Sequence, residues 1–248
     1  MKKMVLIGLV LVGLVSSVFA GDIKYNQNYA ASYAFKNYNQ KTQVKFAKYL
    51  NNCTSFISQS MMAGFAKTTS MNTLYNKRKN FLADRFDTYS WFYLNKYDKG
   101  STWSEAHSLY LYAKYTDKND IGPNYLENGP KFKFVTYDTL TSYMDYNSVQ
   151  VGDIIFMDWH DANFDFDTMI NNGIITNEGK KHMKPDGHMD HTLIVTKINY
   201  WSERGYNKIR VASNSRDYKD RGLGDINEDY DKKALFYVYR PTNYISDK

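Results

Sequence analysis

The sequence has 248 residues, with 32 Lys and Arg against 26 Asp and Glu and a formal net charge of +6. Its basic residues are scattered rather than clustered, so it lacks the charge signature of a nucleic-acid-binding protein, and we expect no nucleic-acid partner. It has no repeat, low-complexity tract or Gly/Ser linker, which indicates one domain rather than several.

The first 20 residues have the form of a secretory signal peptide. Lys2 and Lys3 precede an apolar run over residues 5–15, and Val18 and Ala20 stand at positions −3 and −1 of a predicted cleavage site after Ala20. The run is shorter than the roughly 20 residues that span a membrane, so we expect no stable membrane span after cleavage. Residues 21–248 are then a single secreted or periplasmic domain, whose charge is +6 minus the two lysines, or +4.

Two helices are predicted before residue 70. The segment 27–37 is compatible with a helix because of its Ala and Tyr content. In the next segment, apolar and small residues recur at helical spacing and define one buried face: Cys53, Phe56, Ile57, Ser60, Met61 and Gly64. Gly64 is small enough for close packing or for a helix end.

A third helix is predicted in "STWSEAHSLYLYAKY", residues 101–115. Thr102 is the expected N-cap, and Glu105 follows three residues later, which is the spacing of a capping box. The inner face of this helix is expected to carry Trp103, Ala106, Tyr110 and Ala113.

The second half of the chain changes to a strand pattern. A Gly-Asp turn at Gly152 and Asp153 opens "VGDIIFMDW", and "DHTLIVTKI", "NKIRVAS" and "ALFYVYR" follow as further apolar or alternating runs. Helices followed by an antiparallel sheet predict an α+β fold. The connection over residues 158–190 is long and polar, so we predict a loop insertion over the end of the sheet.

Cys53 is the only cysteine. In a secreted chain such a residue is buried, paired between chains or reactive. At the start of a helix, unpaired backbone N–H groups and the helix dipole favour the thiolate, which is the nucleophile. Asn51 or Asn52 is the expected N-cap, and the backbone N–H of Cys53 could serve in an oxyanion hole. A small, inert core cysteine is the alternative.

A thiolate nucleophile needs a group that transfers protons, and the candidates are five histidines: His107, His160, His182, His188 and His191. His191 begins an apolar strand, where a side chain can reach the edge of the sheet while its neighbours are buried. If the next strand pairs with it in the antiparallel sense, Asn214 or Asp217 could reach the ring and orient it.

A metal site is a second possibility for the same histidine. His188, Asp190 and His191 could act as ligands, but their spacing is loose and no HExxH pattern accompanies them. We therefore predict no cofactor and no metal.

Several segments together resemble a known family. "YNQNYAASYA" (25–34) is similar to its Tyr-Asn and Ala-Ala-x-x-Tyr-Ala start, and "NCTSFISQ" (52–59) to its Asp-Cys-Thr-Asn-Phe-Val-Ser-Gln block. A Trp-containing section, the Gly-Asp strand, "HTLIVT" (191–196) and "NSRD" (214–217) follow in the family's order. The chain thus resembles the putative amidase domain of bacterial secreted proteins, over about residues 25–223.

This resemblance implies a papain-like cysteine hydrolase, related in fold to the NlpC/P60 and CHAP groups. It implies a Cys-His-Asn triad, with Cys53 as nucleophile, His191 as general acid/base, and Asn214, where the family often has His, as the third residue that accepts from the imidazole. The substrate it implies is a peptide or peptidoglycan stem amide. Asn52 and Ser55 depart from the family's Asp and Asn.

Three other functions are compatible with the sequence. One is a catalytically inactive module that binds the cell wall or cell surface on the same scaffold. Another is a zinc-dependent hydrolase built on His188, Asp190 and His191. Within the favoured fold, acyl transfer to an amine could replace hydrolysis. The sequence leaves the oligomeric state open.

Overall fold

The computed structural model describes residues 22–39, 45–47, 49, 52–82, 90–117, 128–138, 144–159, 185–199, 208–214, 218–230 and 233–246. The expected signal peptide, His160, His182, Asp217 and most of the expected insertion at 158–190 lie outside these ranges. Within them, no helix is long and apolar enough to cross a membrane.

The helices are concentrated in the first half of the chain. They are α1 (Gln27–Asn37), α2 (Cys53–Ala66), α3 (Met71–Lys77), α4 (Ser101–Ser104), α5 (Ala106–Asp117) and, near the end, α6 (Leu223–Asp229). A 3₁₀ turn over Arg78–Phe81 follows α3. The predictions for α1 and for a helix beginning at about residue 53 are confirmed.

The predicted capping box at Thr102 is wrong. The helical region is broken at Glu105, whose backbone is extended (φ −118°, ψ 127°), and α5 begins one residue later. The hydroxyl of Thr102 donates to the backbone oxygen of Ser90 at 2.6 Å, so it does not cap a helix. Glu105 instead contacts the first turn of α5, where its carboxylate accepts a hydrogen bond from the Ser108 hydroxyl at 2.9 Å.

In the described part of the chain, seven strands form one sheet in which every pair is antiparallel. They are β1 (Ile23–Lys24), β2 (Gly129–Asp138), β3 (Ile154–Asp158), β4 (His191–Ile198), β5 (Ile209–Ser213), β6 (Tyr218–Gly222) and β7 (Leu235–Ile245). Their order is β1-β7-β3-β4-β5-β6, and β2 also pairs with β7. The α+β class and the four predicted strands, β3, β4, β5 and β7, are confirmed.

Alternation along the central strands divides the core into two clusters. The residues on one face pack with α1, α2 and α5, and include Ile154, Phe156, Ile194 and Ala212. Those on the other face pack with α6, and include Ile155, Met157, Leu193 and Val211. Thus α2 lies against the first face of β4 and β5.

Almost every residue of α2 is buried, so its polar side chains need hydrogen-bonding partners from other elements. Trp91 and Trp103 donate their indole N–H groups to Ser58 (3.0 Å) and Ser55 (3.2 Å). Tyr33 donates its hydroxyl to Gln59 at 3.0 Å. These bonds fix the rotation and the position of the helix that begins with Cys53.

At two positions, Gly64 and Gly152, the structure leaves no room for a side chain. Gly64 is inside α2, and a Cβ there would lie 2.3 Å from Cε2 of Tyr25, so the residue serves close packing rather than the helix end. Gly152 has a φ of +86°, and a Cβ there would lie 2.7 Å from Cβ of Gln27. The turn predicted at Gly152 and Asp153 therefore needs glycine both for its backbone conformation and for contact with α1.

Candidate active site

Cys53 is the first residue of α2. Its side chain is buried, with 4% of the residue exposed, and its sulfur lies 3.6 Å from Oγ1 of Thr54. The N-terminal N–H groups of a helix have no partner within the helix, so the residue stands where an α-helix interacts most favourably with negative charge.

Asn52 occupies the N-cap position but makes no capping hydrogen bond with its side chain. Its Nδ2 instead donates to Oδ1 of Asn214 at 2.7 Å, across 162 positions of sequence. Asn214 in turn donates through Nδ2 to the backbone oxygen of Tyr38. Asn52 and Asn214 are 1% and 5% exposed, so this amide pair is a buried link between the start of α2 and the end of β5.

A second link joins the start of α2 to β4. The Thr192 hydroxyl donates to Oγ1 of Thr54 at 3.3 Å, and both residues are fully buried. Thr54 follows Cys53 and Thr192 follows His191. The two links therefore bring the segments that carry Cys53, His191 and Asn214 to the same end of the sheet.

His191 is the first residue of β4 and is 5% exposed. Its Nε2 lies 3.0 Å from Oγ of Ser213, the last residue of β5. His191 pairs with Met157, and Ser213 pairs with Tyr218, both on the face of the sheet away from α2. The imidazole thus lies at the same end of the sheet as Cys53, but on the face opposite the one that packs against α2.

Trp159 packs against the imidazole. The ring centroids of Trp159 and His191 are 5.3 Å apart, and Tyr230 stacks on the indole at 4.5 Å. The backbone N–H of Trp159 donates to the Asp190 carboxylate at 2.8 Å. Asp190, which precedes His191, therefore fixes the backbone of Trp159, whose ring packs on His191.

The predicted site residues thus have distinct hydrogen-bonding partners. Asn214 bonds to Asn52 and Tyr38, while the ring of His191 bonds to Ser213. The roles of Cys53, His191 and Asn214 stay predictions. Sequence reasoning did not single out Ser213, but the pairing of Ile194 with Ala212 implies that Ser213 shares a face with His191.

The candidate metal ligands have separate contacts. The ring of His188 stacks on that of His107, with centroids 4.2 Å apart, and Asp190 accepts from the Trp159 backbone. His191 bonds to Ser213. Across the described residues, no group of three His, Cys, Asp or Glu side chains is placed to hold one ion.

Asp158 ends β3 and holds the loop that leads into β4. Its two carboxylate oxygens accept from the backbone N–H groups of Asp186 (3.3 Å) and Gly187 (2.9 Å). Burial raises the pKa of Asp158 to about 6; the Gly187 hydrogen bond opposes this shift and the nearby charge of Asp190 adds to it. This carboxyl is a titratable contact between β3 and the segment preceding His191.

Asp158→Asn should change how stability depends on pH. Because the folded-state pKa is raised from 3.8 to about 6, the stabilising contribution of Asp158 is full below about pH 4 and is lost as pH rises through about 6. The free energy of unfolding of the native protein, relative to the variant, should therefore fall between pH 4.5 and 7.5. Urea unfolding at several pH values measures this.

The exposed Asp145, whose carboxylate also accepts from a backbone N–H group, supplies the control variant Asp145→Asn. A difference between the native protein and Asp158→Asn that does not change from pH 4.5 to 7.5 would contradict the assignment of a raised pKa to Asp158.

A comparison with known protein families identifies the family of this chain. The sequence profile of the putative amidase domain matches residues 24–239, which include α2 and strands β3, β4 and β5. A match to an amidase domain indicates a hydrolase acting on amide bonds. No curated protein and no solved structure matches the chain. Since the profile covers most of its length, this chain belongs to the putative amidase domain family.

Proposed function

We propose that this protein is a secreted, cysteine-dependent amidohydrolase that cleaves peptide or peptidoglycan stem amide bonds. The observation that carries the proposal is the position of Cys53. It begins a 14-residue helix whose start is linked to β5 through Asn52 and to β4 through Thr54. A lone sulfur held at a helix start, in a family of amidase domains, is best explained as a nucleophile.

In this mechanism the Cys53 thiolate attacks the amide carbonyl and forms a tetrahedral intermediate. The N-terminal N–H groups of α2 stabilise the oxyanion, with that of Cys53 as the first donor. Asn52 supports this role because its side chain bonds to Asn214 and makes no capping hydrogen bond to these groups. We assign Asn214 to the site as the residue that holds the start of α2 in place.

His191 is the proposed general acid and base. It protonates the leaving amine as the acyl-enzyme forms, and it then takes a proton from the water that releases the acyl group. The family resemblance supports this assignment, and the start of β4 lies at the same end of the sheet as the start of α2. The packing of Trp159 on the ring shields one side of the imidazole from water.

The proposals for the compartment and for the substrate are based on the sequence. The signal-peptide pattern over residues 1–20 supports secretion, and the family resemblance supports a peptide or peptidoglycan stem as substrate. A charge of +4 after removal of the two signal lysines from +6 is compatible with an anionic wall.

The substrate class is tested with purified peptidoglycan and a set of synthetic peptides, each incubated with the protein and analysed by mass spectrometry. We expect each cleavage to add one water and to release a new amine and a new carboxylate. An added primary amine that appears in the product would indicate acyl transfer. Binding to peptidoglycan with no product would favour the inactive wall-binding module instead.

Alkylation of Cys53 tests the nucleophile without any substrate. The chain has one cysteine, so iodoacetamide reports on this thiol alone. An inert buried thiol reacts more slowly in the folded protein than in urea. We expect the opposite: at pH 6–7, Cys53 should react faster when folded, by about tenfold or more, and His191→Ala should abolish the excess. A slower folded-state reaction would refute an activated thiolate.

A further inference from the structure

A groove of about 480 Å³ opens at the end of the sheet away from the start of β4. It is lined by the exposed side of α1 between Asn28 and Lys36, by residues 150 and 151 before β3, and by residues 196–198 at the end of β4. Its volume is within the range of roughly 300–1,000 Å³ that is typical of small-ligand sites. His191 and Lys197 are six residues apart on β4, so the groove lies about 20 Å from the start of that strand.

Hydrogen bonds join the walls of the groove to one another. The Tyr25 hydroxyl donates to the backbone oxygen of Gly152 at 3.0 Å, which links the segment before α1 to the turn before β3. The N–H of Gly152 donates to the backbone oxygen of Val195 at 2.8 Å, and the N–H of Val195 donates to that of Asp153 at 2.9 Å. The groove is therefore formed in advance, so a ligand does not have to order its walls.

The floor of the groove is apolar. It includes Ala31, Phe35, Val151 and Ile198. Phe35 is 43% exposed despite its large aromatic ring, and Nζ of Lys219 lies 4.5 Å from the ring centroid. Contact with an apolar group of a ligand would remove this ring surface from water, which is favourable. The floor thus fits a ligand that has apolar side chains.

The charge that lines the groove is positive. Among the described residues, Lys36 and Lys197 are the charged ones that line it. Nζ of Lys36 donates to the hydroxyl of Thr69 at 3.3 Å, which is a neutral acceptor, and no salt bridge joins either lysine to an acid in the described ranges. Asn28 and Gln150 add side-chain amides. These groups complement a ligand with a negative charge and with peptide-like hydrogen-bonding groups.

We propose that this groove binds a short acidic peptide. The apolar side chains of the peptide lie against Phe35 and Ile198, its carboxylates face Lys36 and Lys197, and its backbone pairs with the amides at the rim. Binding of such a peptide does not depend on the proposed catalytic mechanism.

The proposed function gives this site a use, and this second step rests on that function. A peptide stem ends in a carboxylate, and one peptidoglycan polymer carries many stems. A stem held in the groove keeps other stems of the same polymer near Cys53, which raises their effective concentration there. The groove should therefore favour polymeric over single-peptide substrates.

Binding is tested by titration of the ¹⁵N-labelled Cys53→Ala protein, which does not turn over the probe. The probe is N-acetyl-Ala-Glu-Ala with a free carboxylate, and its neutral counterpart is N-acetyl-Ala-Gln-Ala amide. We expect saturable shifts of the amide signals of α1 and of residues 196–198. The neutral peptide should bind at least about fivefold more weakly, and added salt should reduce this difference.

Variants locate the site. Lys36→Gln combined with Lys197→Gln should weaken binding of the acidic probe by about tenfold, because two charge contacts are lost. Lys24→Gln combined with Lys133→Gln is the matched control, since it removes the same charge from exposed lysines of β1 and β2 outside the groove. Ser32→Trp, on the exposed side of α1, should block the groove and abolish binding, whereas Ser32→Ala should not.

Kinetics test the use of the site. Lys36→Gln combined with Lys197→Gln should raise KM for peptidoglycan by about threefold or more with kcat unchanged, and should leave hydrolysis of a single short peptide unchanged. An equal rise in KM for both substrates would refute the role in holding the polymer.

Three results would overturn the binding site. They are the absence of saturable shifts in α1 and residues 196–198, equal affinity for the acidic and neutral peptides, and equal losses in the two lysine pairs. Inorganic phosphate that displaces the probe at the probe's own concentration would show an adventitious anion site only. A native protein that hydrolyses no amide would instead refute the proposed function, and the titration would still report on the groove. The two failures are therefore distinguishable.

Discussion

Replacement of Cys53 by Ala should abolish amide hydrolysis, with kcat lower by roughly three orders of magnitude or more. The physical reason is that the acyl-enzyme cannot form without the thiolate, while the links that hold the start of α2 remain. These links, Asn52 to Asn214 and Thr54 to Thr192, do not involve the sulfur. The measurement is product formation from peptidoglycan or peptide, followed by mass spectrometry.

Cys53→Ser is the matched variant, since it keeps the shape of the side chain and exchanges the thiol for a poor nucleophile. It should also be inactive, and both variants should keep the circular dichroism spectrum of the native protein. Full activity of Cys53→Ala on a substrate that the native protein cleaves would falsify the cysteine mechanism. It would then direct attention to a different nucleophile or to an activated water.

Replacement of Arg240 by Ala should strongly destabilise the protein, although the arginine itself is only half-buried. Arg240 in β7 makes two hydrogen bonds to the fully buried carboxylate of Asp153, Nε to Oδ1 at 2.7 Å and Nη2 to Oδ2 at 2.9 Å. It also donates to the backbone oxygen of Ser148 at 2.8 Å. Removing one partner of a buried pair costs about 3–5 kcal/mol, because an uncompensated charge remains inside the protein.

The stability lost in Arg240→Ala should depend on pH. Burial raises the pKa of Asp153, and the hydrogen bonds from Arg240 oppose this shift. Without Arg240 the pKa should rise further, and protonation at acid pH then relieves the buried charge. The free energy of unfolding lost in Arg240→Ala should therefore be larger at pH 7 than at pH 5, as measured by urea unfolding.

Arg221 provides the control for this prediction. It forms a salt bridge with Asp229 at 2.8 Å, with side chains 32% and 35% exposed, and such exposed pairs contribute about 0–1 kcal/mol. Arg221→Ala should thus cost much less than Arg240→Ala. Equal losses in the two variants would show that the buried pair at Asp153 has no special role. Arg240→Lys should fall between them, since lysine keeps the charge but not the two parallel bonds.

Composition and apolar patterning predicted the elements that carry a strong apolar signal. Ala and Tyr content indicated α1, apolar residues at helical spacing indicated α2, and apolar or alternating runs indicated β3, β4, β5 and β7. Strand β6 was missed because its sequence, Tyr-Lys-Asp-Arg-Gly, is charged and has no apolar alternation. The capping box failed for a different reason: Ser90 provides a tertiary acceptor for the hydroxyl of Thr102, and local spacing does not reveal it.

Asn52 and Ser55, which depart from the family pattern, each form a hydrogen bond to a residue distant in sequence. Asn52, where the resemblance has Asp, donates to Asn214, where it often has His. Ser55, the other departure, accepts from the indole of Trp103 at 3.2 Å. None of these contacts is visible in the sequence, because their partners are 48 or more positions apart.

The amino-acid sequence by itself determined the class of fold, the helix that begins at Cys53, the strand that begins at His191 and the family they resemble. These depend on local periodicity and on the order of motifs along the chain. Only the tertiary structure decided which side chain reaches the imidazole. Ser213 and Asn214 are neighbours in sequence, but successive strand residues face opposite sides of a sheet, and the register of β4 with β5 turns Ser213 toward His191 and Asn214 toward Asn52.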